Sequence, residues 1–283
     1  MTQLIGLKTL ALKECWRVLR IWKQTVIPPI ITSSLYFIIF GEVVGQRVGT
    51  VNGMPYIDYV APGFIMLGVI VNAFSNSAST VYIERYTKTF DVLLSAPLHE
   101  YVLILGYTIG SIFRGVLIAA INTWVASYFV DFNHAHIGLI FLTTVSVSFL
   151  FSGFGILNGF FANSFDQIHI IPTFLLTPMI YLGGVFFSLK MLSPFWRSLA
   201  SFNPVLYICD LFRYAWSDHS MFSPDTTIIA VIGIGVLLHV ICGYILRHTQ
   251  TPFTRTLPPT RWMRWRSLSP IRFQKTECSS VNS

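Results

Sequence analysis

Apolar runs near the length that a bilayer demands of a helix divide this chain six times, at residues 25–44, 60–83, 101–130, 137–162, 168–187 and 226–246. A hydrocarbon core is crossed by about 20 apolar residues in a helix, so the pattern predicts an all-α membrane protein with six transmembrane helices. The third run is long enough to cross at a tilt. The stretch 188–225 breaks the rhythm, being too polar to span and too apolar for a plain loop, with Pro194, Pro204 and Pro224 punctuating it. It predicts two short helices that re-enter the outer leaflet, since irregular backbone at that depth must pack on protein or line a wet cavity. A membrane-hugging loop is the alternative.

Two further stretches carry a helical stripe without the length of a span. In residues 1–23, Leu12, Cys15, Trp16, Leu19 and Trp22 recur on one side and Lys13, Arg17, Arg20 and Gln24 on the other. This predicts an amphipathic helix lying on the membrane surface, its tryptophans at headgroup depth. The segment 84–100 reads ERYTKTFDVLLSAPLHE. As a helix it gathers Tyr86, Phe90, Leu93, Leu94 and Pro97 on one apolar face, sets Glu84 and Lys88 four apart on the other in the favourable order, and ends at Pro97. Such a helix fits a lipid surface or a groove on a partner; Arg85 and Asp91 add to its charge.

Composition agrees with the membrane reading. Only 11% of the residues are charged and 53% are hydrophobic, against about 25% charged in soluble domains. The net charge of +7 reflects the gathering of Lys and Arg on the cytoplasmic side of membrane proteins, and no nucleic-acid module accompanies it. With the N-terminus inside, the inner segments hold Lys8, Lys13, Arg17, Arg20, Lys23, Arg85, Lys88 and the basic residues from Arg247 onward, while the outer ones hold Arg47, Lys190, Arg197 and Arg213. Both termini are therefore expected in the cytoplasm. The chain divides into the interfacial helix at 1–23, a transmembrane domain at 24–250 and a basic tail at 251–283. In that tail RWMRWR (261–266) interleaves Trp with Arg, a pattern suited to anionic lipid headgroups.

Reactive constellations are missing from the sequence. No H-E-x-x-H, G-x-S-x-G or P-loop occurs, the four cysteines form no C-x-x-C pair, and His134 with His136 is a weak metal signal. A structural metal or a cofactor on this chain is not expected. Arg114 lies inside the third run, where a charge is costly and commonly functional; with Phe186, Phe187, Phe195 and Trp196 it is a candidate for lining a path. Gly41/Gly45, Gly106/Gly110 and Gly155/Gly159 allow close helix approach, within one subunit or between two.

Four stretches together resemble the ABC-2 type transporter permeases of bacteria, the transmembrane subunits of ATP-binding-cassette exporters: WKQTVIPPIITSSLYFIIFGEVVG after its basic amphipathic lead, YVAPGFIMLGVIVNAFSNSAST, ERYTKTFDVLLSAPLHE, and FANSFDQIHIIPTFLLTPMIYLGGVFFSLKMLSPFWRSLASFNPVLYICDLFRYAW. The resemblance covers about residues 12–250. It implies six spans in the inner membrane with an N-terminal connecting helix and two re-entrant outer helices, a permease homodimer, and two copies of a separate cytosolic ABC ATPase that binds the ATP and Mg. It implies export of a drug-like amphiphile, lipid or polysaccharide. It also implies that 84–100 is the coupling segment that docks on the ATPase, with Glu84, Asp91, Leu93, Leu94 and Pro97 matching the family's pattern. A stand-alone channel or secondary transporter, an intramembrane lipid-modifying enzyme and a membrane scaffold are the rival readings.

Overall fold

The structure, a computed structural model, describes residues 2–51, 53–96, 98–130, 136–217 and 220–253. Pro97, His134 and the tail from 254 onward, RWMRWR included, lie outside the described residues. The chain falls into two compact units, Met1–Tyr244 and Ile245–Ser283; only 245–253, a helical continuation, is described in the second.

Twelve α-helices succeed one another among the described residues: α1 (Thr2–Arg20), α2 (Trp22–Phe37), α3 (Gly45–Val48), α4 (Tyr56–Tyr86), α5 (Thr89–Ser95), α6 (Glu100–Ala126), α7 (Ile137–Phe161), α8 (Phe165–Ile171), α9 (Thr177–Leu182), α10 (Pro194–Ser201), α11 (Pro204–Ser217) and α12 (Pro224–Phe253). A π-helical segment, Ile38–Val44, joins α2 to α3, and a second, Pro172–Leu176, joins α8 to α9. A two-stranded antiparallel hairpin, Thr50–Val51 with Met54–Pro55, lies between α3 and α4.

Among the described residues, five helical runs are long and apolar enough to cross a membrane: Trp22–Val48, Tyr56–Tyr86, Glu100–Ala126, Ile137–Phe161 and Pro224–His248. They coincide with five of the six expected spans. The expected span at 168–187 is instead a shorter, interrupted helix over 165–182, after which the chain turns at Gly183 and Gly184, the latter at φ +69°. Proline explains the interruption. Pro172 has no N–H for the Ile168 carbonyl, and the Asn158 side chain of α7 donates to that oxygen instead (2.9 Å). The Thr177 hydroxyl and amide both turn back to the Pro172 carbonyl, which closes the wider π turn.

Helix α4 is the axis of the core. It runs parallel to α7 and antiparallel to α6, and glycine sets the spacing: a Cβ at Gly155 or Gly159 would strike the α4 backbone at Phe74 and Ala78. Gly106 and Gly110 admit Leu10 and Glu14 of α1 against α6, and Gly41 faces Ile57. Two of the three small-residue pairs, and Gly41 of the third, are thus used within this one chain for close helix approach.

Helix α1 departs from expectation. It runs lengthwise along α6 and antiparallel to α4, with Leu10, Glu14 and Val18 buried. Lys13 and Arg17 of its charged stripe reach the bundle while Arg20 and Gln24 stay exposed, and so do Leu4, Ile5, Leu12, Trp16 and Leu19 on the other side. The stripe expected to face water is the one that meets α4 and α6, because those helices present polar groups to receive it.

Candidate functional site

Polar side chains recur four apart along the last turns of α4, at Asn76, Thr80 and Glu84. Tyr107, Ser111 and Arg114 form a matching stripe on α6. Charges on α1 close the gap. Lys13 pairs with Glu84, whose other oxygen accepts from the Tyr107 hydroxyl. Arg17 donates to Glu14 Oε2 (2.9 Å), to Asn76 Oδ1 (3.0 Å) and to the Thr80 hydroxyl, and the Asn76 amide donates to Ser111 (3.1 Å). Glu14 is 0% exposed, and its Oε1, 3.7 Å from Lys13 Nζ, has no hydrogen-bond donor among the described residues. Buried charge is tolerated only when paired, so this junction ties three helices into one body.

That geometry revises the role expected of Glu84. It is 7% exposed and belongs to the junction rather than to an outward face shared with Lys88. Arg85, on the following step of α4, reaches across to α7. Its Nη1 lies within hydrogen-bond reach of the carbonyls of Gly159 (3.0 Å), Phe160 and Ala162 (3.4 Å). These are among the last carbonyls of α7, which have no amide partner in their own helix, and a cation there also meets the negative end of the helix dipole, worth about 0.3–1 kcal/mol.

The helix expected over 84–100 breaks at Lys88, which adopts a left-handed backbone (φ 58°). The seven-residue helix α5 begins at the next residue. Phe90 is buried and meets Phe160 edge-on (5.8 Å between ring centres), whereas Tyr86 is 78% exposed and no longer shares its face. Leu93 and Leu94 are half-buried; Lys88, Thr89, Asp91, Val92 and Ser95 are exposed. Val92, 70% exposed, was not singled out by the apolar stripe because it lies off that stripe.

The remaining candidates are not brought together. Arg114 stands one turn beyond Gly110 and Ser111 on α6, half-buried, its Nε without a hydrogen-bond partner. Phe186 lies in an aromatic cluster with Phe40, Phe64 and Tyr181, and Tyr36 stacks on Phe64 (4.8 Å). Phe187 is half-buried and contributes its carbonyl to the Tyr59 hydroxyl (3.3 Å). Trp196 is exposed on α10 against Phe195.

Sequence reasoning missed Arg213 as a site residue. It is buried on α11, where it donates to the carbonyls of Tyr59 (3.2 Å) and Gly184 (3.0 Å), lies over the Tyr59 ring (3.9 Å) and pairs with Asp210 (3.6 Å). Asp210 accepts from the Met221 and Phe222 amides. Burial raises its carboxyl above the ordinary value, and those amides and Arg213 oppose the shift. Among the described residues no cluster of three or more His, Cys, Asp or Glu could hold a metal ion.

A family model described as ABC-2 type transporter matches residues 6–216. The inner membrane transport permease YadH of Escherichia coli strain K12 is 40% identical over 243 residues, 86% of this chain and 95% of that protein. Nodulation protein J of Sinorhizobium fredii is 24% identical over 227 residues, 77% of this chain and 81% of its own. The protein of the same name from Rhizobium leguminosarum is 24% identical over 201 residues, 68% and 76% of the two chains.

Proposed function

The chain belongs to the ABC-2 type transporter family, and from that premise we propose that it is the permease subunit of an ATP-driven exporter in which a separate ABC ATPase docks on α5. That it is a multi-pass membrane transport permease is supported by the family and the five long apolar helices; the docking is our reading. The observation that carries it is the build of α5. Phe90 anchors the helix in the bundle, and Asp91, Val92 and Ser95 remain turned outward beside Lys88 and Tyr86, an anchored knob with one apolar side chain among polar ones.

In this reading the helix over 165–182 is the sixth crossing, both termini are cytoplasmic as the Lys and Arg distribution favours, and the protein resides in the bacterial inner membrane. Two permease copies enclose the path and two ATPase copies drive it, with ATP and Mg held by the ATPase and no cofactor on this chain. Leu93, Leu94 and Pro97 support the docking face, and Glu84 acts from behind it by holding α4 to α1. The cargo is an amphiphile, lipid or polysaccharide. The aromatic cluster around Phe186, half open at Tyr36, Phe40 and Tyr181, supports an apolar lining, next in the chain to Phe187; Trp196 lies on α10 and Arg114 in the α6 polar stripe, and neither joins the cluster.

Affinity purification of the chain from its own cells in mild detergent tests this. Recovery of a P-loop ATPase that is lost on Asp91→Arg or Val92→Glu is the expected result. Recovery of no ATPase with a folded, intact chain would favour a channel that works alone.

A further inference from the structure

Helix α5 is joined by the chain to α4 and α6, and one of its side chains also leads to α7. Phe90 rests on Phe160, and Arg85, three residues before the left-handed Lys88, holds the last carbonyls of α7. The end of α7 is in turn fixed to α8. Only residues 162–164 separate them, and their conformation is held by the Asn163 amide donating to Gln167 Oε1 (2.7 Å) and the Gln167 amide donating to Ser164 Oγ (3.3 Å). Asn158 reaches from α7 to the Ile168 carbonyl, and Tyr82 of α4 meets Phe165 edge-on (6.0 Å). Four elements thus converge on one corner.

We propose that this corner is a brace, in which Arg85 and Phe90 are positioning residues that pass displacement of α5 into α7 and the helix over 165–182. The proposal rests on the docking reading of α5. An ordinary cap for α7 would come from its own next residues in the chain; here the cap is lent by another helix, at the step before that helix breaks. Lys88 breaks the axis of α4 before α5 begins, so a push on α5 reaches α7 through Phe90, while Arg85, on α4 ahead of the break, fixes the end of α7 that receives it. The run that receives it is weakened at Pro172–Leu176 by its π turn, and its far end reaches Gly184, whose carbonyl Arg213 holds. Motion entering at Phe165 is therefore confined to a helix held at both ends and soft in the middle.

Distances between nitroxide labels test the brace. Labels replace Ser95 and Asn163, both exposed, on the full chain in nanodiscs with the native cysteines changed to alanine. The unsubstituted corner should give one narrow distance distribution; Arg85→Ala and Phe90→Ala should each broaden it at least twofold, and Arg85→Lys, which keeps the cation but loses the fork, should restore part of the width. With the co-purified ATPase and a second label pair at Asn163 and at Leu105, 41% exposed on α6, ATP and vanadate should shift the distance, and Arg85→Ala should abolish the shift while the ATPase stays bound. Unchanged width in both variants, or an ATP-induced shift that persists in Arg85→Ala, would overturn the proposal. Failure of the docking reading looks different: no ATPase accompanies even the unsubstituted chain, and the brace then stands or falls on the width alone.

Discussion

The two ends of α4 are fastened by different chemistry. At its Tyr56 end α4 is held largely by bonds to backbone carbonyls. Arg213 holds the carbonyls of Tyr59 and Gly184, and the hydroxyls of Tyr56 and Tyr59 hold those of Phe186 (2.9 Å) and Phe187 (3.3 Å). At its Tyr86 end the bonds to α1 and α6 run from side chain to side chain, through Glu84, Thr80 and Asn76, and their cations are partly solvated: Lys13 is 45% exposed at its side chain where Arg213 is 5%. A desolvated arginine that serves fixed carbonyls cannot let go without stranding them, at about 1–3 kcal/mol for each orphaned group. The Lys13–Glu84 pair is wet at its cation and buried at its carboxylate, 45% against 9% exposed, so its attraction is the more open to screening by salt. The first arrangement is a fastening that salt hardly reaches and the second one whose strength follows the ionic strength.

The largest effect should come from breaking the first fastening. Arg213→Met leaves Asp210 buried beside an apolar chain and two carbonyls unserved, and should lower stability by about 3–5 kcal/mol. Thermal unfolding in detergent, monitored by tryptophan fluorescence, would read this as a large drop in the transition temperature. Glu84→Gln at the other end keeps an acceptor for Tyr107 and loses only the charge facing Lys13, so a smaller loss of about 1–3 kcal/mol is expected in the same assay. Salt sharpens the contrast. Raising NaCl from about 0.05 to about 1 M shortens the screening length from roughly 14 to roughly 3 Å. It should shrink the Glu84→Gln deficit and leave the Arg213→Met deficit nearly unchanged. Equal shrinkage of both would remove the distinction between the two ends.

Much of the architecture behind this contrast is legible in the sequence, and the parts that escape it do so for physical reasons. Five spans can be read because a long apolar run has one fate in a bilayer. The stretch at 168–187 cannot, since its hydropathy says nothing of how Pro172 and Pro178 divide a helix or of the turn at Gly184. The stripe Lys13, Arg17 is visible but was assigned to water. Amphipathicity names two faces and leaves open which one is the protein's. The answer lies in other segments, the polar spacings Asn76, Thr80, Glu84 and Tyr107, Ser111, Arg114, which only tertiary structure brings opposite Glu14. Arg213 escaped because its partners are carbonyls, and every residue carries one. For the 84–100 segment, the interruption turns on Lys88 taking a left-handed backbone, a conformation uncommon for residues with a side chain.

The smallest effect on the fold should come from Val92. It is 70% exposed on α5, it lies on neither fastening, and substitutions at such positions commonly change stability by no more than about 0.5 kcal/mol. Val92→Glu should therefore unfold with the unsubstituted chain, at low and high salt alike. Its consequence belongs to association. An apolar knob among polar neighbours gains from a partner's pocket, and a carboxylate placed there would have to be buried without a partner of its own, at a cost of several kcal/mol if the pocket is dry. Each 1.4 kcal/mol is tenfold in affinity, so loss of about 3 kcal/mol weakens docking by more than a hundredfold. The test compares ATPase recovered per mole of chain for Val92→Glu and for Ser95→Ala, a change of similar exposure and no charge. Recovery lost in the first and kept in the second would mark α5 as the docking face of a corner whose stability lies behind it, in Phe90 and Arg85. Equal recovery would move the docking face off α5.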